Sequence, residues 1–434
     1  MPAIVLDHVT QAGRSSLMSI IDIDVGLMWS RSCRVGSRLA LAPLIVALLA
    51  VGVAGCASTI ALDRAVLAYD TTTTDSVAKQ LLLNIARARH NQPMHFTGIS
   101  SVAATYKVSV NAGFGGALTG NSGGLIVPVF GTSAEENPTI SIAPIQGEEF
   151  TQRLLTPFQE QKLTLLLRQG YDVDSLLRLM GAEIRLENNE HSLGTRDGTV
   201  YYNRPSDQEG YPVFRRVMAH LSSIQDRHTL YVEPLHFQYS WTIPADSVTP
   251  ETFQSVYKDF SLTYDAEKHV YRVSRRINGR VIVTNYDPAV LSNEERFLLH
   301  EKAEEAPFND ILVDIRPGYP GGELPLQGRI RLRSFHEILT FIGRGIEEEP
   351  EYDVSPDPRT PLISENPPRT LEIIEARSLP PGVDLSVSLK GYQYALQPQS
   401  GYQWNRKAFS LLYQLFQMTV ATVPSSGPAI TISK

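Results

Sequence analysis

Leu39 to Ala54 form an uncharged apolar run of 16 residues, with Arg31, Arg34 and Arg38 before it and Gly55-Cys56 after it. A membrane-spanning helix needs about 20 apolar residues, so the run is short for that role. A basic flank, a short apolar centre and small residues at its end are the parts of a secretory signal. A chain built this way folds outside the cytoplasm, where disulfides persist. Yet its two cysteines are Cys33, inside the segment that export discards, and Cys56. The exported fold therefore has to be held by burial rather than by cross-links.

The junction Val53-Ala54-Gly55-Cys56 resembles the lipobox of bacterial lipoproteins. That resemblance implies cleavage before Cys56 and lipidation of its thiol, so that Cys56 becomes the first residue. More than one acyl chain, at about 0.8 kcal/mol per buried CH₂, makes such an anchor effectively permanent. Ala57, rather than Asp, follows the cysteine; by the sorting behaviour of such proteins this implies the outer membrane, with the chain facing the periplasm. Residues 1–27 carry Asp7, Asp22 and Asp24, an unusual charge pattern ahead of a signal peptide. The expected start is Met28, with Met18 as the alternative.

Hydrophobic residues at 42% and charged residues at 20% are ordinary globular usage and exclude global disorder or a coiled-coil rod. The net charge of −7 argues against a nucleic-acid partner. The expected fold class is α+β, antiparallel sheets flanked by helices, following a cleaved lipoprotein signal peptide. The expected divisions are 1–55, the over-extended start and signal; 56–74, the lipidated cysteine and tether; 75–190, an α+β domain with a glycine-rich hairpin; 211–345, an α+β middle domain; 346–369, a linker or wrapping loop rich in Pro and acidic residues; and 370–434, a C-terminal α+β segment.

Within these, helical spacing of Val77, Leu81, Leu82, Ile85 and Ala88 predicts a helix capped by Asp75 or Ser76 and closed by Pro93. From Val102 to Phe114 apolar residues alternate with small or polar ones over 13 residues, long for a strand. The glycine-rich stretch 113–124 and the strands 125–130 and 139–145 complete a predicted hairpin or meander, with Pro128 and Pro144 confined to edges or bulges. Helices are predicted over Glu148–Leu155, Gln159–Gln169, Asp174–Ile184 and Val213–Gln225. Strands Leu230–Val232 and Phe237–Ile243 follow. Asn278-Gly279 predicts a type I′ turn joining strands Tyr271–Ile277 and Arg280–Tyr286. Strands Ile311–Ile315 and Gly328–Leu332, the helix Phe335–Gly343, strands Asp384–Leu389 and Tyr392–Leu396, the helix Arg406–Met418 and a last strand Ala429–Ile432 complete the reading.

No catalytic constellation emerges. Ser76/Lys79 and Ser255/Lys258 match S-x-x-K but lack the S-D-N and K-T-G elements that this chemistry requires. His90 and His95 are five apart across Pro93, and His220, His228 and His236 are eight apart near Glu233; neither set has metal-ligand spacing. The glycine-rich stretch lacks a phosphate-loop ending, and Leu118 breaks G-x-G-x-x-G. The sequence thus predicts no enzyme, cofactor or metal, and Cys56 as the sole modified residue. The 102–130 hairpin is read either as a partner- or membrane-inserting element or as a half-buried strand pair covered by the 81–89 helix; the second is favoured, since alternation alone does not separate them.

LLLNIARAR (81–89), Gly98-Ile-Ser-Ser-Val102, NPTISIAPIQGEEF (137–150), LLTP (154–157), Arg333-Ser334 and Lys390-Gly391-Tyr392 resemble, in that order, a family of uncharacterised proteobacterial lipoproteins. The resemblance implies a periplasm-facing envelope protein and transfers no mechanism. The expected function is a structural or assembly component that binds envelope proteins while held to the membrane by its N-terminal lipid. The alternatives are an enzyme or binding protein for cell-wall or glycan material, and a homo-oligomeric pore-former using the hairpin.

Overall fold

The computed structural model describes residues 41–116, 126–187, 198–249, 254, 258–398 and 403–420. Residues 71–434 form one compact unit and residues 1–70 another. Helix α1 runs Leu41–Arg89. No Gly or Pro lies between Cys56 and Gln92 to interrupt it. Asp75 and Ser76 therefore lie inside α1 and do not cap it, a correction to the expected start. It also ends before Pro93: Asn91 takes φ 51, the left-handed conformation that Asn tolerates at helix ends, and Gln92 N–H donates to Arg87 O at 2.8 Å.

Strands β1 (Phe96–Gly116) and β2 (Ile126–Ile145) form a two-stranded antiparallel sheet. The expected separate strands 125–130 and 139–145 are one element. Both strands are edges, which is why Pro128, Pro138 and Pro144 are accommodated. The expected glycine-rich bend falls largely at 117–125, outside the described residues.

Helices α2 (Glu148–Leu155), α3 (Glu160–Arg168) and α4 (Val173–Met180) lead into a seven-stranded sheet. It is built from β3 (Gly181–Leu186), β4 (Val200–Tyr202), β5 (Tyr231–Pro244), β6 (Ser261–Asp265), β7 (Val270–Thr284), β8 (Asp310–Ile315) and β9 (Leu326–Leu332). The order is β4-β3-β9-β8-β7-β5, with β6 added to β7. Pairing is antiparallel except β7 with β8. That parallel pair is joined through helix α6 (Asn293–Glu304), as a parallel connection requires. The predicted helix 174–184 stops at Met180 because the next residues pair with β9, and Arg333 closes the helix end: its N–H donates to Met180 O and its guanidinium to Arg178 O and Leu179 O.

Asn278-Gly279 is not a hairpin turn. β7 passes straight through it, and β5 pairs along both halves, from Tyr231 opposite Thr284 to Pro244 opposite Val270. Gly279 serves closeness instead: a Cβ there would stand 2.8 Å from His300 Nδ1 and 2.9 Å from Phe237 Cε1. The hairpin turn of this kind lies at Lys390-Gly391, where both φ angles are positive and Leu389 pairs with Tyr392. It joins β11 (Ser386–Leu389) to β12 (Tyr392–Leu396), which with β10 (Ile373–Ala376) make a small antiparallel sheet.

Helices α5 (Gly210–Asp226), α7 (Phe335–Gly345) and α8 (Trp404–Thr419) complete the unit. One buried core draws on 75–190, 211–345 and 370–434 alike, from Leu81 and Ile85 through Phe214, Ile330 and Phe335 to Trp404 and Leu412. A smaller cluster, Leu235, Phe237, Ile282, Ala303 and Leu312, packs where α6 meets the sheet. This is a mixed α/β fold with helices flanking antiparallel and mixed sheets. The last predicted strand, 429–432, lies outside the described residues.

Candidate functional site

The most distinctive construction is the β1–β2 ribbon and its root. Asn84, buried on α1, accepts the His95 N–H on Oδ1 at 2.8 Å and donates from Nδ2 to His95 O at 2.9 Å. Arg87 donates to the same carbonyl, and Gln80 Oε1 accepts the Thr97 N–H at 2.7 Å. Phe96, fully buried, stacks on Phe416 at 4.8 Å and meets Phe150 edge-on at 5.9 Å. The first residue of β1 is thus fixed in the core, and its register partner is the last residue of β2, Ile145. From that root the register continues to Gly116 opposite Ile126, with one irregularity between Ile99 and Ser101. At about 3.4 Å per residue the paired length is roughly 65 Å. Among the described residues each strand pairs only with the other.

The motifs that carry the family resemblance are corners of the fold. LLLNIARAR supplies Leu81, Leu82 and Ile85 to the core and Asn84 to the ribbon root. Arg333 closes α4, while Ser334 caps α7 in a reciprocal pair: its Oγ accepts the Glu337 N–H, and Glu337 accepts the Ser334 N–H. Pro157, of LLTP, bridges to Ser334.

Of the S-x-x-K candidates, Ser76 and Lys79 lie one turn apart in α1, and Ser255 lies outside the described residues. Three of the five candidate histidines, His90, His220 and His236, have side-chain partners of their own. His90 Nε2 is 2.7 Å from Tyr394 Oη, and His236 Nδ1 is 2.8 Å from Asn278 Oδ1. Among the described residues no group of three His, Cys, Asp or Glu is placed to hold a metal ion. An open cleft of about 620 Å³ lies between α1, α8 and the small sheet, lined by Ala78, Leu396, Phe409 and Tyr413, with Asp384 paired to Arg406 at its rim. A second, of about 500 Å³, includes Glu233, His236 and Arg276. Among the described residues no helix is long and apolar enough to cross a membrane.

Sequence reasoning missed the buried ionic groups that hold the unit together. Glu351, in the Pro-rich segment 346–369, accepts from Tyr211 Oη, Thr370 Oγ1 and Thr370 N. It lies 3.7 Å from the Arg178 guanidinium and 3.8 Å from that of Arg215. Both arginines also donate to the Pro367 and Pro368 carbonyls. The segment is therefore a wrapping loop locked onto α4 and α5. Burial pushes the Arg333 guanidinium down to about 10, with Glu351 and Glu337 opposing that shift.

His220, fully buried on α5, has Nε2 at 2.8 Å from Gly321 O and Nδ1 at 3.2 Å from Thr360 Oγ1. Burial holds its pKa below the usual 6.5, against the Gly321 carbonyl, Asp357 and Glu323, which raise it, and with Arg359, which lowers it. Above pH 6.5 the ring is neutral in both folded and unfolded chains. As pH falls below 6.5 the unfolded chain takes the proton first, so stability falls until pH passes the lower folded value. Urea unfolding of the full chain between pH 8 and 5 is expected to show this loss, and His220→Gln to flatten it apart from a constant offset. Identical slopes in the two proteins would show that His220 is not the group responsible.

No protein-family model matches the chain, and neither a curated protein nor a solved structure matches it.

Proposed function

We propose that this protein is a lipid-anchored component of the outer membrane, facing the periplasm, that works by binding other envelope proteins. The observation that carries the binding role is the ribbon: a long two-stranded sheet whose first residue is fixed in the core and whose outer backbone edges have no partner among the described residues. Such edges are templates for another strand, and a chain that keeps one this long uses it for recognition. The anchoring half rests on Cys56 and its preceding apolar run.

Fractionation of cells producing the full chain, with mass determination of the purified protein, tests the anchor. The wild-type protein is expected in the outer-membrane fraction, starting at Cys56 and carrying acyl mass. Cys56→Ser is expected to lose both the acyl mass and the enrichment. Wild-type protein that is soluble and unacylated overturns the anchor. Crosslinking in the membrane, compared with a chain shortened within the ribbon, tests the binding role: a defined envelope protein recovered only with the intact ribbon supports it, and equal recovery from both removes the ribbon from that role.

A further inference from the structure

Between Lys107 and Glu135 the chain contains no Asp, Glu, Lys or Arg: residues 108–134 are 27 consecutive uncharged residues. The register places the two bounding charges directly opposite one another, Lys107 against Glu135, with Tyr106 against Glu136 at the next position. Lys107, Glu135 and Glu136 are the only charged residues of the two strands, so the ribbon carries a single charged level with uncharged strand on either side of it, the proximal side running back to the core. The distal part contributes Val108–Gly116 from β1 and Ile126–Ala134 from β2, nine residues from each strand. A strand crossing an outer membrane needs about 9–11 residues.

Two further properties belong to the same segment. By the period of two along a strand, Val108, Val110, Ala112 and Phe114 fall on one face of the ribbon and Ser109, Asn111 and Gly113 on the other. The register adds Ala134, Thr132, Phe130 and Pro128 to the first face and Ser133, Gly131, Val129 and Val127 to the second, so the first is mainly apolar and the second mainly small or polar, with two valines towards the tip. Apolar residues on one face and small or polar ones on the other are the pattern of a barrel strand between lipid and lumen. Tyr106, opposite Glu136 at the single charged level, occupies the position of an interfacial aromatic girdle.

From these placements we propose that the distal ribbon inserts into the bilayer as two strands of a transmembrane β-barrel whose other strands come from further copies of this chain. A lone ribbon is excluded in lipid, because the outer N–H and C=O groups of both strands would lack partners where no water is present. The outer edge of β1 in one copy pairs with the outer edge of β2 in the next, and closure of the ring leaves no edge. Barrels of this kind start at about eight strands, so at two strands per copy the ring contains at least about four copies. The proposal rests on the envelope location proposed above and gives the ribbon edges a different occupant from the other envelope proteins proposed there, namely further copies of this chain, so an envelope protein crosslinked through those edges overturns it.

Vesicles of phosphatidylcholine and phosphatidylglycerol, loaded with a self-quenching dye and reconstituted with the full chain purified in detergent, test it. Single cysteines at 108, 109, 110, 111 and 112, introduced with Cys33→Ser and Cys56→Ser so that each is the sole thiol of the chain whether or not the signal is removed, carry an environment-sensitive fluorophore. The expected result is alternation: labels at 108, 110 and 112 quenched from within the lipid, those at 109 and 111 from water. With Cys56 intact, wild-type protein releases the dye and sizes as a ring of copies. Val110→Asp is expected to abolish release with circular dichroism and thermal unfolding unchanged, while Asn111→Asp, the same charge on the other face, retains it. Labels that all remain water-accessible, a monomer in membranes, or equal tolerance of both substitutions overturns the proposal. Alternating insertion without acylation of Cys56 in cells would overturn the anchor alone; acylation without insertion would overturn the barrel alone.

Discussion

Glu351→Ala is expected to destabilise the folded unit by about 3–5 kcal/mol, the range for removing one partner of a buried ion pair. The side chain is 7% exposed, and the two guanidinium groups it faces, Arg178 and Arg215, are 0% and 2% exposed. Three hydrogen bonds end on its oxygens, including both the N–H and the hydroxyl of Thr370. Asp174 is the other carboxylate at this centre, 3.3 Å from Arg178. Without Glu351 the two arginines are left with one carboxylate and neutral carbonyls, in a region where solvent cannot compensate. Glu351→Gln preserves volume and one acceptor but removes the charge, and is expected to recover only part of the loss. Urea unfolding measures both, and limited proteolysis of 350–370 should show the wrapping loop released first. A change below about 1 kcal/mol for Glu351→Ala would mean that the loop is held by its carbonyl bonds alone.

The sequence carries the local part of this architecture and not the pairings that assemble it. Helical spacing locates α3, α7 and α8 because each buries one stripe, whereas α2 buries Leu154 alone and α5 is buried on every side from Val217 to Ile224. Dyad alternation finds the centre of β1, but not that 125–130 and 139–145 are one strand, since only the register with β1 joins them. Asn278-Gly279 misleads for a related reason: its local preference for a reversal is overridden by β5, paired on both sides of it. The charged centres are the least legible. A buried Arg178 or Arg215 has the same spelling as a surface arginine, and its partner Glu351 lies among acidic residues that read as a solvated linker. The ribbon root is intermediate: Asn84 occupies an ordinary helical position, and its role shows only when the chain returns past it at His95.

Arg280→Met is expected to have an effect of similar size, about 3–5 kcal/mol, for a different structural reason. All five N–H groups of the guanidinium are used. One donates to Glu160 Oε2 at 2.8 Å, and the other four to the carbonyls of Ala303, Ala306, Pro307 and Asp310 at 2.9–3.1 Å. Glu160 and Arg280 are 2% and 3% exposed. The pair ties α3 to β7, while the carbonyls tie β7 to the C-terminal end of α6, where a cation also opposes the helix dipole. Methionine keeps much of the volume, so the loss reports on the charge and its bonds rather than on a cavity. The double variant Arg280→Met with Glu160→Leu separates these contributions. If the ion pair dominates, removing both charges restores most of the stability, because an apolar replacement of a buried pair is often neutral. Here the four carbonyls remain without their donor, at about 1–3 kcal/mol for each that water cannot reach. The double variant is therefore expected to remain clearly less stable than wild type. Full recovery would show that the pin between sheet and helix is the Leu235–Ala303 apolar cluster and that Arg280 merely fills a polar seam beside it.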